Sequence, residues 1–137
     1  MAVEESHGRQ ATLPEFETAF RMDEGIWREA YWGDMRVGYE TYLQDYEDAP
    51  LLKGLPNDRC QCPHWGYMLS GRMTVRYDDH DEVVEAGTVY YMAPDHTIAV
   101  DAGTVLVEFS PLDEWEALMA VAEENIAAST GEATDIR

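Results

Sequence analysis

From Met35 to Phe109 the hydrophobic period is two, and turn residues interrupt the chain every six to ten positions. Arg36, Gly38, Glu40 and Tyr42 fall on one side of the first segment and Val37, Tyr39, Thr41 and Leu43 on the other, the alternation of a half-buried strand. A strand over Arg59 to Leu69 follows, then a turn at Ser70-Gly71. The next strand sets Met73, Val75 and Tyr77 against Arg72, Thr74 and Arg76. Asp78-Asp79-His80-Asp81 reads as a turn, Glu82 to Glu85 as a strand, Ala86-Gly87 as a turn and Thr88 to Met92 as a strand rich in Tyr and Val. Pro94-Asp95 breaks the chain again before Thr97 to Val100, the turn Asp101-Ala102-Gly103 and Thr104 to Phe109. Six or more short strands at this spacing imply an all-β antiparallel sandwich or barrel. No period of about 20 to 50 residues repeats, which excludes solenoids and propellers.

The ends read differently. Residues 1–12 are polar, and from Leu13 to Arg28 the apolar positions Phe16, Phe20, Ile26 and Trp27 are too sparse for a helix, so this stretch is expected to be irregular. Ser110 can cap a helix that begins at Pro111, with Asp113 and Glu114 at its positive end. Trp115, Leu118, Met119, Ala122 and Ile126 then form an apolar stripe suited to packing on the strands or on a partner, and Ser129-Thr130-Gly131 ends it. The expected organisation is a single domain over 1–137: an extension at 1–34, a barrel at 35–111 and a helix at 112–128.

Charge bears on partners. With 28 acidic residues against 9 basic ones the net charge is -19, and Lys53 is the only lysine. So acidic a surface repels phosphate backbones and anionic lipid, so neither nucleic acid nor membrane is expected as a partner. The start of the chain lacks a basic-then-apolar leader, and the only cysteines, Cys60 and Cys62, form no secreted disulfide framework. A cytoplasmic protein is expected.

The chemistry concentrates in Cys60-Gln61-Cys62-Pro63-His64. In a strand, Cys60, Cys62 and His64 point to one face, and same-face neighbours roughly 6 to 7 Å apart are too distant for a disulfide, so both cysteines are read as thiols. His96, after Pro94-Asp95, stands where the chain can return towards that face, whereas His7 and His80 read as solvated. Pro63 favours an edge or bulge that can turn His64 away. Two thiolates and two imidazoles are the composition of a tetrahedral zinc site, with ferrous iron as second choice. If no metal binds, the same residues floor a pocket lined by Met68, Tyr90 or Tyr91, and Met92, suited to a small organic ligand. Glu108 shares a face with Leu106 and can enter the interior as a base or extra ligand, while Tyr67 faces away and Arg72 and Arg76 pair with acids across strands.

These stretches resemble the cupin superfamily. Gly54, five residues, Cys60-Gln61-Cys62, then His64 and Gly71 are similar to the first cupin motif, with Cys60 and Cys62 in place of its paired histidines and His64 in place of its glutamate. Counted strictly, Cys60 aligns with the second histidine and Asp58 with the first. Gly87 followed by Pro94-Asp95-His96 resembles a shortened second motif, with His96 as its histidine. The resemblance covers residues 35–111. It implies a jelly-roll barrel (double-stranded β-helix), an interior metal site, a small-molecule ligand and a homodimer. Three functions follow: a non-catalytic metal- or ligand-binding module, a metal-dependent enzyme of oxygenase, isomerase or lyase type, or a structural protein that uses the helix stripe. The absence of an inserted lid and of the usual ligand set favours the first.

Overall fold

The structure, a computed structural model, describes residues 7–130. Its strands are β1 (Glu17–Met22), β2 (Gly25–Trp32), β3 (Met35–Tyr42), β4 (Tyr46–Glu47), β5 (His64–Ser70), β6 (Arg72–Arg76), β7 (Asp81–Glu85), β8 (Val89–Met92), β9 (Thr97–Val100) and β10 (Val105–Pro111). The helix α1 (Leu112–Thr130) follows directly. All strand pairings are antiparallel, in one six-stranded sheet of order β1-β2-β3-β10-β5-β8 and one four-stranded sheet of order β4-β9-β6-β7. Met68, Met92 and Leu106 from the first sheet and Met73, Val75 and Val100 from the second belong to one buried core. The strands expected from β3 onwards are present, mostly within a residue or two of their expected ends.

Two expectations are corrected. Leu13 to Arg28 is not irregular: after a short 3-10 turn at Leu13–Glu15, β1 and β2 form a hairpin that extends the six-stranded sheet. Its signal was masked because the connecting Asp23-Glu24 contains no glycine, and because β2 turns a charged Glu29 inwards alongside Trp27. The strand expected from Arg59 begins only at His64, since Pro63 has no N–H for a ladder. A smaller shift occurs at the other end, where Pro111 closes β10 and the helix starts at Leu112.

The helix stripe is used inside the chain. Ile126 joins the main core, and Trp115 and Leu118 close a smaller apolar cluster with Leu52, Cys60 and Cys62. Asn125 donates to the carbonyls of Leu51 and Lys53 at 2.8 and 2.9 Å, pinning the loop before β5 under the helix. No helix among the described residues is long and apolar enough to cross a membrane.

One register row positions the site. Glu29, Gly38, Glu108, Gly66 and Tyr90 lie side by side across β2, β3, β10, β5 and β8. The glycines make room: a side chain at 38 would overlap the Arg36 guanidinium, and one at 66 would overlap the Tyr90 ring. The inward face of β3 is therefore its charged face, with Arg36 and Glu40 buried.

Candidate metal centre

Cys60 and His96 are neighbours through the backbone. The Cys60 N–H donates to the His96 carbonyl at 2.8 Å, and the N–H groups of Asp95 and His96 donate back to the Cys60 carbonyl at 2.7 and 3.2 Å. Asp95 takes a left-handed φ of 76° in the turn, and its carboxylate accepts from Asn57, Gln61 and Arg59 at 3.1 to 3.3 Å. This ties the loop before β5 to the loop before β9. His64, as the first residue of β5, then brings its ring to 5.4 Å from that of His96.

Candidate ligand atoms of Cys60, His64 and His96 lie within 4.8 Å of one another, and all three residues are buried. Metal bonds of about 2.0–2.3 Å place ligand atoms roughly 3.3–4 Å apart, so small adjustments suffice. The rings are anchored as ligands require. His96 Nδ1 donates to the Ala93 carbonyl at 2.6 Å, and His64 Nδ1 lies 2.7 Å from Ser110 Oγ and 3.3 Å from Glu108 Oε2. Holding the hydrogen on Nδ1 leaves each Nε2 lone pair for an ion, and His64 Nε2 stands 3.5 Å from Cys60 Sγ.

The electrostatics suit neutral imidazoles. Burial lowers His64 to about 3, with Arg36 adding to the shift and Glu40 opposing it. His96 falls to about 4, from burial and then from His64. Burial pushes the Cys60 thiol well above its ordinary range, so thiolate formation here needs a cation. The residues fit a metal ion by donor chemistry and by the oxygen acceptors behind each ring.

Cys62 lies outside this group. The single-face reading required strand alternation through Cys60–Pro63, and that segment is not a strand. Cys62 is buried in the apolar cluster under Trp115, its thiol 3.4 Å from the Pro63 carbonyl, and burial raises it to about 12. It behaves there as a small apolar side chain.

Beside the cluster is a cavity of about 80 Å³, room for several waters or a small molecule. Of the expected lining residues, Met92 and Glu108 border it. Met68 and Tyr90 sit instead in the core, and Tyr91 points outwards, 51 % exposed, because β8 alternates with Tyr90 and Met92 inside. The Tyr90 hydroxyl donates to Glu108 Oε1 at 2.7 Å. Burial raises the Glu108 carboxyl, partly offset by that hydrogen bond.

Sequence reading missed the supporting charges. Arg36, fully buried, donates to Glu29 Oε2 at 3.0 and 3.1 Å and to Glu40 Oε2 at 2.9 Å, with its guanidinium 3.8 Å from the centre of the Trp115 ring. Burial opposes its charge, but Glu40 and Glu29 outweigh burial and raise its pKa. Burial raises Glu40, against the pull of Arg36, and Tyr42 donates to its other oxygen at 2.6 Å. The one available signal was Gly38 between two charged residues of a strand, which marks a close approach.

No protein-family model matches the sequence, and no curated protein does. Among solved structures, an RmlC-like cupin from Shewanella frigidimarina is 13% identical with a TM-score of 0.54, over 77% of this chain and 91% of that one. KdgF from Halomonas sp. is 15% identical with a TM-score of 0.54, over 77% of this chain and 94% of that one. The iron(II) form of HppE is 8% identical with a TM-score of 0.53, over 73% of this chain and 58% of that one. With its two antiparallel sheets and C-terminal helix, the chain has the fold of the small cupins.

Proposed function

We propose that this chain binds one divalent metal ion through Cys60, His64 and His96 inside a jelly-roll barrel, and holds a small organic molecule in the adjoining cavity. The convergence of three buried ligand atoms, with both imidazole Nδ1 atoms held by oxygen, carries the reading. A thiolate with two imidazoles suits zinc first and ferrous iron second. Three protein ligands leave a coordination position for water or ligand, an arrangement catalytic sites share. The open position favours a second reading, a metal-dependent enzyme acting on the cavity's occupant. A bound ion would supply Lewis acidity there. This chain's own residues orient the rings and hold Glu108 beside His64.

Two further proposals concern setting and assembly. The free thiols of Cys60 and Cys62 support a reducing, cytoplasmic environment. Trp65, Tyr67, Val89, Tyr91 and Phe109 are exposed together on the outer face of β5, β8 and β10, an apolar patch that a second copy would cover.

Elemental analysis of protein purified without added metal tests the site. About one equivalent of zinc or iron is expected in the native chain and in Cys62→Ser, and little in Cys60→Ser and His96→Ala. No metal in the native chain even after reconstitution would sink the proposal. Loss in Cys62→Ser but not in Cys60→Ser would move the site.

A further inference from the structure

The cavity has a second wall that the metal proposal does not use. Phe20, Trp27, Tyr42 and Tyr46 line it as one aromatic cluster. Phe20 stacks on Trp27 at 4.9 Å, Tyr42 and Tyr46 meet Trp27 edge-on at 5.4 and 5.3 Å, and the two tyrosines lie 5.5 Å apart. Asp48 borders the same space, its Oδ1 accepting the Ile98 N–H at 2.9 Å.

The charges lining the cavity are unequal. Among the described residues its carboxylates are Glu40, Asp48 and Glu108, and no lysine or arginine lines it. Glu40 is met by Arg36 at 2.9 Å. Glu108, held by Tyr90 and beside His64, would together with a Cys60 thiolate balance a divalent ion. Asp48 forms no ion pair among the described residues. Burial raises its carboxyl to about 7, with the Ile98 N–H working against the shift. A partly buried carboxylate with no charge partner is costly, and a cation entering the cavity from outside removes the cost. Aromatic rings attract the same cation through their faces.

We propose that the cavity takes a small organic monocation, a protonated alkylamine, with its ammonium group on Asp48 and the rings of Trp27, Tyr42 and Tyr46. The apolar part of the ligand lies against Leu51, Met119 and Ile126, which also line the cavity. The inference rests on the reading that this cavity holds a small molecule, and it requires no metal.

The test is a titration of the native chain at about pH 8, where alkylamines are protonated. It is followed by tryptophan fluorescence and amide NMR shifts, with n-butylammonium, butan-1-ol as neutral counterpart and butyrate as anion. It is run on zinc-loaded and on chelator-treated protein, with zinc measured in each sample. Saturable binding of butylammonium is expected, with butan-1-ol and butyrate weaker by roughly tenfold or more. Asp48→Asn keeps an oxygen for the Ile98 N–H and is expected to lose roughly tenfold in butylammonium affinity. Equal binding of butan-1-ol, no saturable butylammonium binding, or an unaffected Asp48→Asn each overturns the proposal. Asp48-dependent binding in a protein that never takes up zinc would refute the zinc site and leave this inference standing. Zinc uptake without amine selectivity would do the reverse.

Discussion

Replacing Arg36 by Met tests whether the charged interior is organised by one residue. The guanidinium donates to Glu29 and Glu40 at 2.9 to 3.1 Å and lies over Trp115, with none of its surface exposed. Met fills similar space but leaves Glu40 buried with only the Tyr42 hydroxyl as donor. Removing one partner of a buried pair costs about 3–5 kcal/mol, and the lost cation–π contact adds about 0.5–2 kcal/mol. A loss of about 4 kcal/mol is expected near pH 8, against a total stability of about 5–15 kcal/mol for a domain of this kind. The pH dependence has a definite sign. Burial already raises the Glu40 carboxyl above its ordinary range in the folded chain, and Arg36 is the main restraint on it. Without Arg36 its folded pKa rises further, so the destabilisation is full above that value and shrinks as pH falls through it towards the unfolded value. Urea unfolding at about pH 8 and pH 5 reads both quantities, and Arg36→Met/Glu40→Gln is expected to recover part of the loss. An Arg36→Met variant within about 1 kcal/mol of the native chain at pH 8, or a cost that grows in acid, would refute the reasoning.

At Gly66, an added Cβ would come within 2.5 Å of the Tyr90 hydroxyl oxygen and 2.6 Å of the Val107 carbonyl oxygen. Gly66→Ala is expected to cost about 1–3 kcal/mol in thermal or urea unfolding, and a loss below about 0.5 kcal/mol would show that Tyr90 moves aside freely. For assembly, light scattering is expected to give twice the chain mass, with Tyr91→Asp shifting it towards monomer. Since each chain carries -19, added salt should strengthen the pairing as the screening length falls from about 30 Å at 0.01 M to about 8 Å at 0.15 M. A monomer at every salt concentration rules out the apolar patch as a self-interface.

The legible parts of this protein were those governed by neighbours in the chain. Alternation and turn residues located β3 and, apart from the two-residue β4, the strands after it, and the spacing of Trp115, Leu118, Ala122 and Ile126 located the helix face that is buried. Cys60, His64 and His96 could be picked out by residue type and position, and the structure brings them together. Cys62 shows the limit. Its inclusion depended on alternation through a segment that Pro63 keeps out of the ladder, so its side chain goes under the helix instead.

The sequence by itself determined the period, the turns and the chemical types available. Period two separates Arg36, Gly38, Glu40 and Tyr42 from Val37, Tyr39 and Thr41, but it does not say which set faces inwards. Ordinary hydrophobicity would turn the charges out. Only the tertiary structure decided otherwise, because Arg36 finds Glu29 on β2 and the Trp115 ring on α1, and those partners exist only once register and helix docking are set. The meeting of Cys60 with His96, and of Asp48 with Trp27 and Tyr46 around one cavity, is of the same kind. Local periodicity follows from backbone sterics a few residues long. Convergence depends on many weak contacts between distant segments, and these act only in the closed fold.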